Sequence, residues 1–137
     1  MQFKLFLHNA SHLFLPFLLS TVLVLSGANP KLCYLASFLG AFLPDIDHLK
    51  IYLDYRFKSF WHFVKYCANS DRYRKSFLLF HNFPAIIVIS FLLPFAFWMN
   101  RYFGIFVLSF FSHLVLDLLF DVYATRRFSS WKLTRRI

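Results

Sequence analysis

The sequence contains no glutamate; all six acidic residues are aspartates, set against 15 lysines and arginines. Charge is scarce, at 15% of 137 residues, while hydrophobic residues reach 59% and aromatics 23%. A soluble domain carries about 25% charged residues. The shortage therefore excludes an ordinary soluble globule, a coiled coil and a disordered chain. Cysteine is nearly absent too. Cys33 and Cys67 lie far apart without C-x-x-C spacing, and both read as reduced, buried packing residues. There is no internal repeat, low-complexity tract, nucleotide-binding loop, nucleophilic Ser or Cys arrangement, or nucleic-acid-binding motif. What is present is apolar sequence, with a mean hydropathy of +0.56. The length suits a single helical membrane domain over 1–137.

Four apolar segments punctuate the chain: Phe3–Ser26, Leu32–Leu43, Phe77–Met99 and Tyr102–Tyr123. The second falls below the ~20 residues that span a hydrocarbon core, so it is either extended by its flanks or tilted and sheltered. Pro84 and Pro94 are expected to kink the third. The fold class expected is all-α, a polytopic membrane protein of about four membrane helices. Lys4, an apolar run and Ser26-Gly27-Ala28 imitate a cleavable leader. His8, His12 and Pro16 fit that pattern poorly, and the segment is expected to be retained.

Basic residues set the orientation. With four spans, the N-terminus, the central loop of about 46–76 and the tail of about 124–137 share one side. That side holds 13 of the 15 basic residues; Lys31 and Arg101 are on the other. The positive-inside rule places the richer side, with both termini, in the cytoplasm, in an inner-membrane, multi-pass arrangement. Within the loop, Leu53, Phe57, Phe60, Trp61 and Val64 recur on one face of a helix over 49–66, expected to lie along the headgroups. Phe128 and Trp131 look like a second interfacial anchor.

A charge at mid-bilayer costs a few kcal/mol, so the ionisable residues inside these segments need a reason. At ~1.5 Å per residue, His12 lies about 12 Å inside Lys4 and His81 about 9 Å inside Lys75. Asp117 and His113 lie about 9 and 15 Å from Tyr123, by the same rise. Asp45, Asp47 and His48 close the second segment. All fall in the cytoplasmic half. His113 and Asp117, at i and i+4, share one helical face and can reach one ion. Asp45 and Asp47 follow Pro44 at a helix end, which suits a paired metal site. Imidazole and carboxylate without thiolate suit a divalent ion, Zn²⁺ first, with Mn²⁺ or Fe²⁺ as alternatives. His48 reads equally as a ligand, a hydrogen-bond donor to one, or a headgroup contact. His8 and His62 read as packing or interfacial residues, Asp54 and Asp71 as surface charges, and Asp121 as an ion-pair partner of Arg126 and Arg127. The competing reading of the whole set is a polar network that only joins helices.

The stretch Gly40-Ala41-Phe42-Leu43-Pro44-Asp45-Ile46-Asp47-His48 resembles the Gly-x-x-x-Pro-Asp-x-Asp-His signature of the YdjM-like membrane proteins. Ser11-His12-Leu13, Phe80-His81-Asn82 and the Ser112-His113 to Asp117 stretch resemble further pieces of that pattern, in order. The mid-chain piece departs from it: Ser76 stands where the pattern has the first histidine of His-Arg-x-x-x-His, so either a metal is lost, or His62 or His48 substitutes, or the site is degenerate. The resemblance implies a membrane-bound, metal-dependent hydrolase with His12, Asp45, Asp47, His81, His113 and Asp117 as ligands, and with Asp47 and His48 in catalysis. Remote similarity to helical zinc phospholipases and nucleases implies an ester or phosphoester substrate, with a lipid suggested by the site's depth. The alternative is a non-catalytic membrane protein: a metal-binding structural partner or a cation or proton pathway. The almost wholly apolar outer halves, Val22–Leu25 and Ile86–Leu93, argue against permeation.

Overall fold

A computed structural model describes residues 2–67 and 79–125. Its element order is α1 (Gln2–Leu25), α2 (Pro30–Phe42), a 3-10 turn (Leu43–Asp45), α3 (Ile46–Tyr55), α4 (Phe60–Cys67), α5 (Phe83–Met99) and α6 (Arg101–Thr125). The all-α expectation holds, with no strand among the described residues. The described part of α6, Arg101–Tyr123, is long and apolar enough to cross a membrane; Ala10–Leu25 and Phe83–Met99 are shorter apolar stretches.

The helix ends follow local chemistry. At the end of α1, Gly27 adopts φ +85°, and the Ala28 N–H returns to the Leu23 carbonyl at 3.2 Å. Asn29 then caps α2 by accepting from the Leu32 N–H, with Pro30 at the first helical position. Pro44 has no N–H to offer the Gly40 carbonyl, and α2 tightens into the 3-10 turn.

Two local expectations are corrected. The third segment is not helical at His81. Asn82 caps α5 by accepting from the Ala85 N–H at 2.9 Å, and Pro84 sits in the first turn instead of kinking the helix. Only Pro94 lies in the α5 interior. The stretch 49–66 is not one helix either. Arg56, at φ 42°, ends α3, and the Ser59 hydroxyl accepts from the His62 N–H at the start of α4. Phe57 consequently leaves the proposed stripe and packs with Tyr66 on buried Ile51, while Phe60 and Trp61 stay exposed. The side chains of Val64 and Cys67, residues 71–76 and the tail with Phe128 and Trp131 lie outside the described residues.

The interior is built around α6, on which α1, α2 and α5 pack. The face of α2 is narrow: Cys33, Ser37, Gly40 and Ala41 are buried. A methyl group at Gly40 would run into the Phe106 carbonyl, so glycine permits the backbones to meet. Cys33 is a free, buried thiol, as expected of a packing residue. Three hydroxyls thread the junction. Ser20 and Ser37 each donate to the Pro16 carbonyl at 2.8 Å, and Ser37 meets Ser109 at 2.7 Å. The outward faces are the reverse of a soluble surface. Phe14, Phe17 and Val22 of α1, Leu35 and Leu39 of α2, and Val88 and Phe91 of α5 are all exposed. Contiguous apolar exposure on this scale is what a lipid solvent accommodates.

Candidate metal centre

Five elements deliver the polar cluster. From α6 come His113 and Asp117, whose i, i+4 spacing puts His113 Nε2 3.2 Å from Asp117 Oδ2. From α1 comes His12. Pro16, four residues on, cannot return a hydrogen bond to the His12 carbonyl. The bend before α5 brings His81, the 3-10 turn brings Asp45, and the first turn of α3 brings Asp47 and His48.

Asp117 is the hub. Its Oδ1 lies 2.9 Å from His12 Nε2, and its Oδ2 lies 2.8 Å from His81 Nε2. His12 and His113 face each other through their Nδ1 atoms at 3.0 Å, an arrangement in which one nitrogen carries the hydrogen and the other accepts it. Asp45 Oδ1 lies 3.5 Å from both His113 Nε2 and His48 Nδ1. His48 also sets its ring edge against His81, with centroids 4.9 Å apart.

Asp47 faces elsewhere. Its Oδ2 accepts from the Phe80 N–H at 2.6 Å and the His81 N–H at 3.4 Å, and lies 3.3 Å from His81 Nδ1. Burial pushes the Asp47 carboxyl up, but its hydrogen bonds with His81 and Phe80 outweigh this and hold it below the usual range. Burial lowers His48, and the neighbouring His81 adds to the effect, which favours its neutral imidazole.

Two groups could hold a metal ion: His12, His113 and Asp117, and Asp45, His81 and His113. The ligand atoms within each lie inside 4.8 Å of one another. Around a tetrahedral ion with bonds of about 2.0–2.1 Å, ligand atoms stand about 3.3 Å apart. The His81–Asp117, His113–Asp117 and His113–Asp45 pairs stand 2.8, 3.2 and 3.5 Å apart. His113 Nε2 is buried without a hydrogen-bond partner, yet carboxylate oxygens of Asp117 and Asp45 stand at those distances. A bare lone pair there would face two carboxylates, so the position calls for a proton or a cation, and the imidazole and carboxylate donors are of the type a divalent ion takes.

Of the expected residues, His12, Asp45, His81, His113 and Asp117 converge, with Asp47 and His48 beside them. His62 does not join them. It is exposed on α4 with its ring edge against Phe57, as a packing residue would be. The His8 and Asp54 side chains and Ser76 lie outside the described residues. Sequence reasoning missed the Phe80 and His81 backbone N–H groups, which no side-chain pattern marks.

No curated protein and no solved structure matches the chain. The description "YdjM inner membrane protein" matches residues 7–129. Both the order of the polar residues and the apolar exterior agree with it, and the chain belongs to the YdjM inner membrane protein family.

Proposed function

We propose that this protein is a single-domain, metal-dependent hydrolase of the inner membrane that acts on an ester or phosphoester, with four membrane segments and both termini in the cytoplasm. The observation that carries the reading is the meeting of three imidazoles and two carboxylates, from four elements, within 2.8–3.5 Å of their neighbours. A structural network would use Ser, Thr or Asn, as the Ser37–Ser109 pair does.

In this reading His81, His113, Asp45 and Asp117 hold the ion, Zn²⁺ before Mn²⁺ or Fe²⁺. His12 steadies the second oxygen of Asp117 and stands beside His113. Asp47 orients His81 through Nδ1, leaving Nε2 directed at Asp117; carboxylate–histidine pairs of this kind fix the tautomer of metal-ligating histidines. A divalent cation there, when bound, polarises an ester or phosphoryl oxygen and makes water acidic enough to attack near neutral pH. His48, held neutral and 3.5 Å from Asp45, is the group placed to accept a proton.

The second reading is a non-catalytic metal-binding protein, favoured by Ser76 in place of a histidine. A cation pathway gains less support, because the crevice beside His12 and His113, walled by Leu15, Leu19 and Leu116, has no water-sized space. Elemental analysis of the purified protein, followed by hydrolysis of a model phosphodiester with and without chelator, separates these readings. We expect about one bound divalent ion or more, chelator-sensitive turnover, and loss of the ion in His113→Ala and Asp117→Ala. Metal without turnover selects the second reading, and unchanged metal in both variants refutes the site.

A further inference from the structure

The contact between His12 and His113 constrains every ligand set that uses either ring. Their Nδ1 atoms meet at 3.0 Å, with ring centroids 4.2 Å apart. The pair is shielded from water. The two side chains are 12% and 3% exposed, and the crevice beside them has no water-sized space. A neutral imidazole holds one N–H, and a metal is taken by its bare nitrogen. Two neutral rings therefore hold two hydrogens. One lies between the Nδ1 atoms, and the ring that accepts it keeps its own hydrogen on Nε2. One Nε2 of the pair is bare and the other is an N–H. His12, His113 and Asp117 stand close enough to hold an ion, yet they cannot close on it through both Nε2 atoms while the Nδ1 contact stands. Two ions, one on each Nε2, are excluded in the same way.

The neighbours decide which ring is bare. His113 Nε2 has Asp117 Oδ2 at 3.2 Å and Asp45 Oδ1 at 3.5 Å, and Asp117 Oδ2 also lies 2.8 Å from His81 Nε2. A bare His113 Nε2 thus completes a set of two imidazoles and two carboxylates. A bare His12 Nε2 would have only Asp117 beside it, at 2.9 Å, and would turn a His113 N–H toward the remaining donors. We propose that His113 gives its Nδ1 hydrogen to His12 Nδ1, which leaves His113 Nε2 as the ligand and makes His12 a positioning residue instead of a fifth ligand. The His12 hydrogen then sits on Nε2, facing Asp117 Oδ1. A proton on His113 Nε2 in place of the ion leaves the same order, so the pair is set before metal arrives. Asp47 meets His81 Nδ1 at 3.3 Å in the corresponding way. Both ligating histidines then have Nδ1 committed and Nε2 turned to a single ion.

The proposal rests on the metal-centre reading and adds the ion count and the role of His12. The test uses the full chain in detergent with ¹⁵N-labelled histidine, zinc-free and zinc-loaded. Long-range proton–nitrogen correlation spectra read which ring nitrogens carry hydrogen, and zinc content is measured on the same samples. His12→Asn identifies the His12 signals by their loss. Wild type is expected to hold one zinc, with N–H at His113 Nδ1 and His12 Nε2, and only His81 and His113 Nε2 taking metal-bound shifts. His12→Ala should keep one zinc and bind it about 10- to 100-fold more weakly. His12→Asn, whose side-chain carbonyl can replace Nδ1 as acceptor, should recover most of that loss. A metal-bound shift at His12, at either ring nitrogen, overturns the proposal, as does a second zinc that His12→Ala removes. Equal zinc affinity in wild type and His12→Ala, or no recovery in His12→Asn, refutes the positioning role. Wild type that holds no zinc refutes the metal centre. The zinc-free spectrum then decides the pair by itself: a hydrogen on His12 Nδ1 overturns the order, and one on His113 Nδ1 sustains it. Should His12→Ala misfold, the wild-type spectra and His12→Asn carry the test.

Discussion

Asp47 offers the sharpest way to separate holding a metal from arranging the residues that hold it. Its Oδ2 is the acceptor for the Phe80 N–H at 2.6 Å and lies 3.3 Å from His81 Nδ1. Asp47→Asn keeps the shape and removes the charge. A hydrogen bond to a charged group contributes about 1.5–3 kcal/mol and a neutral one about 0.5–1.5, so each of these two contacts weakens by about 1 kcal/mol. The bend before α5 loses about 2 kcal/mol of restraint by that arithmetic, and RT ln K converts this to about 30-fold in an equilibrium constant. That falls inside the 10- to 100-fold loss of metal affinity typical when a ligand's hydrogen-bond partner is removed. The assay is zinc competition against a chromophoric chelator, comparing Asp47→Asn with Asp117→Ala and Asp45→Asn. Asp47→Asn should keep the wild-type stoichiometry with about 30-fold weaker affinity; Asp117→Ala should lose the ion. Unchanged affinity in Asp47→Asn would refute the orienting role. Loss of the ion itself would make Asp47 a direct ligand.

Gly40→Ala should destabilise the α2–α6 crossing by about 1–3 kcal/mol, the usual range for overpacking, because the added methyl meets the Phe106 carbonyl; thermal unfolding in detergent measures it. Asp47 has a native pKa below its ordinary 3.8, so its stabilising contribution is complete above that value and is lost as pH falls through the native one. Metal-free wild type should accordingly lose more stability than Asp47→Asn as acid is added below pH 4, followed by helical circular dichroism. A C-terminal reporter active only in the cytoplasm should be active, and one active only outside it should be silent; the converse pair overturns the orientation.

Much of the site was legible in the residues. His113 and Asp117 needed only the helical period, since i and i+4 face one way wherever the helix goes. His12, His81 and Asp45 needed the ordered motif pattern, because nothing local links α1, the bend before α5 and the 3-10 turn. Asp45 and Asp47, expected as a pair, meet different histidines for a simple geometric reason. Residues two apart on a helical path point in different directions, so Asp45 reaches His113 and Asp47 reaches His81. The break between α3 and α4 escaped because the stripe was extrapolated through Arg56, whose left-handed conformation carries little signature in a non-glycine residue. The start of α5 escaped because apolarity alone marks the segment from Phe77, whereas the capping amide of Asn82 decides where the helix begins.

The hydroxyls between α1, α2 and α6 have one more consequence. Ser37 spends its single hydrogen on the Pro16 carbonyl, so Ser109 must be the donor in their 2.7 Å contact. Ser20 gives its hydrogen to the same carbonyl. Every bond in the thread thus runs toward an amide oxygen that has nothing to pass on. The thread therefore ends on backbone oxygens and ties α1, α2 and α6 together without an onward donor among these three hydroxyls.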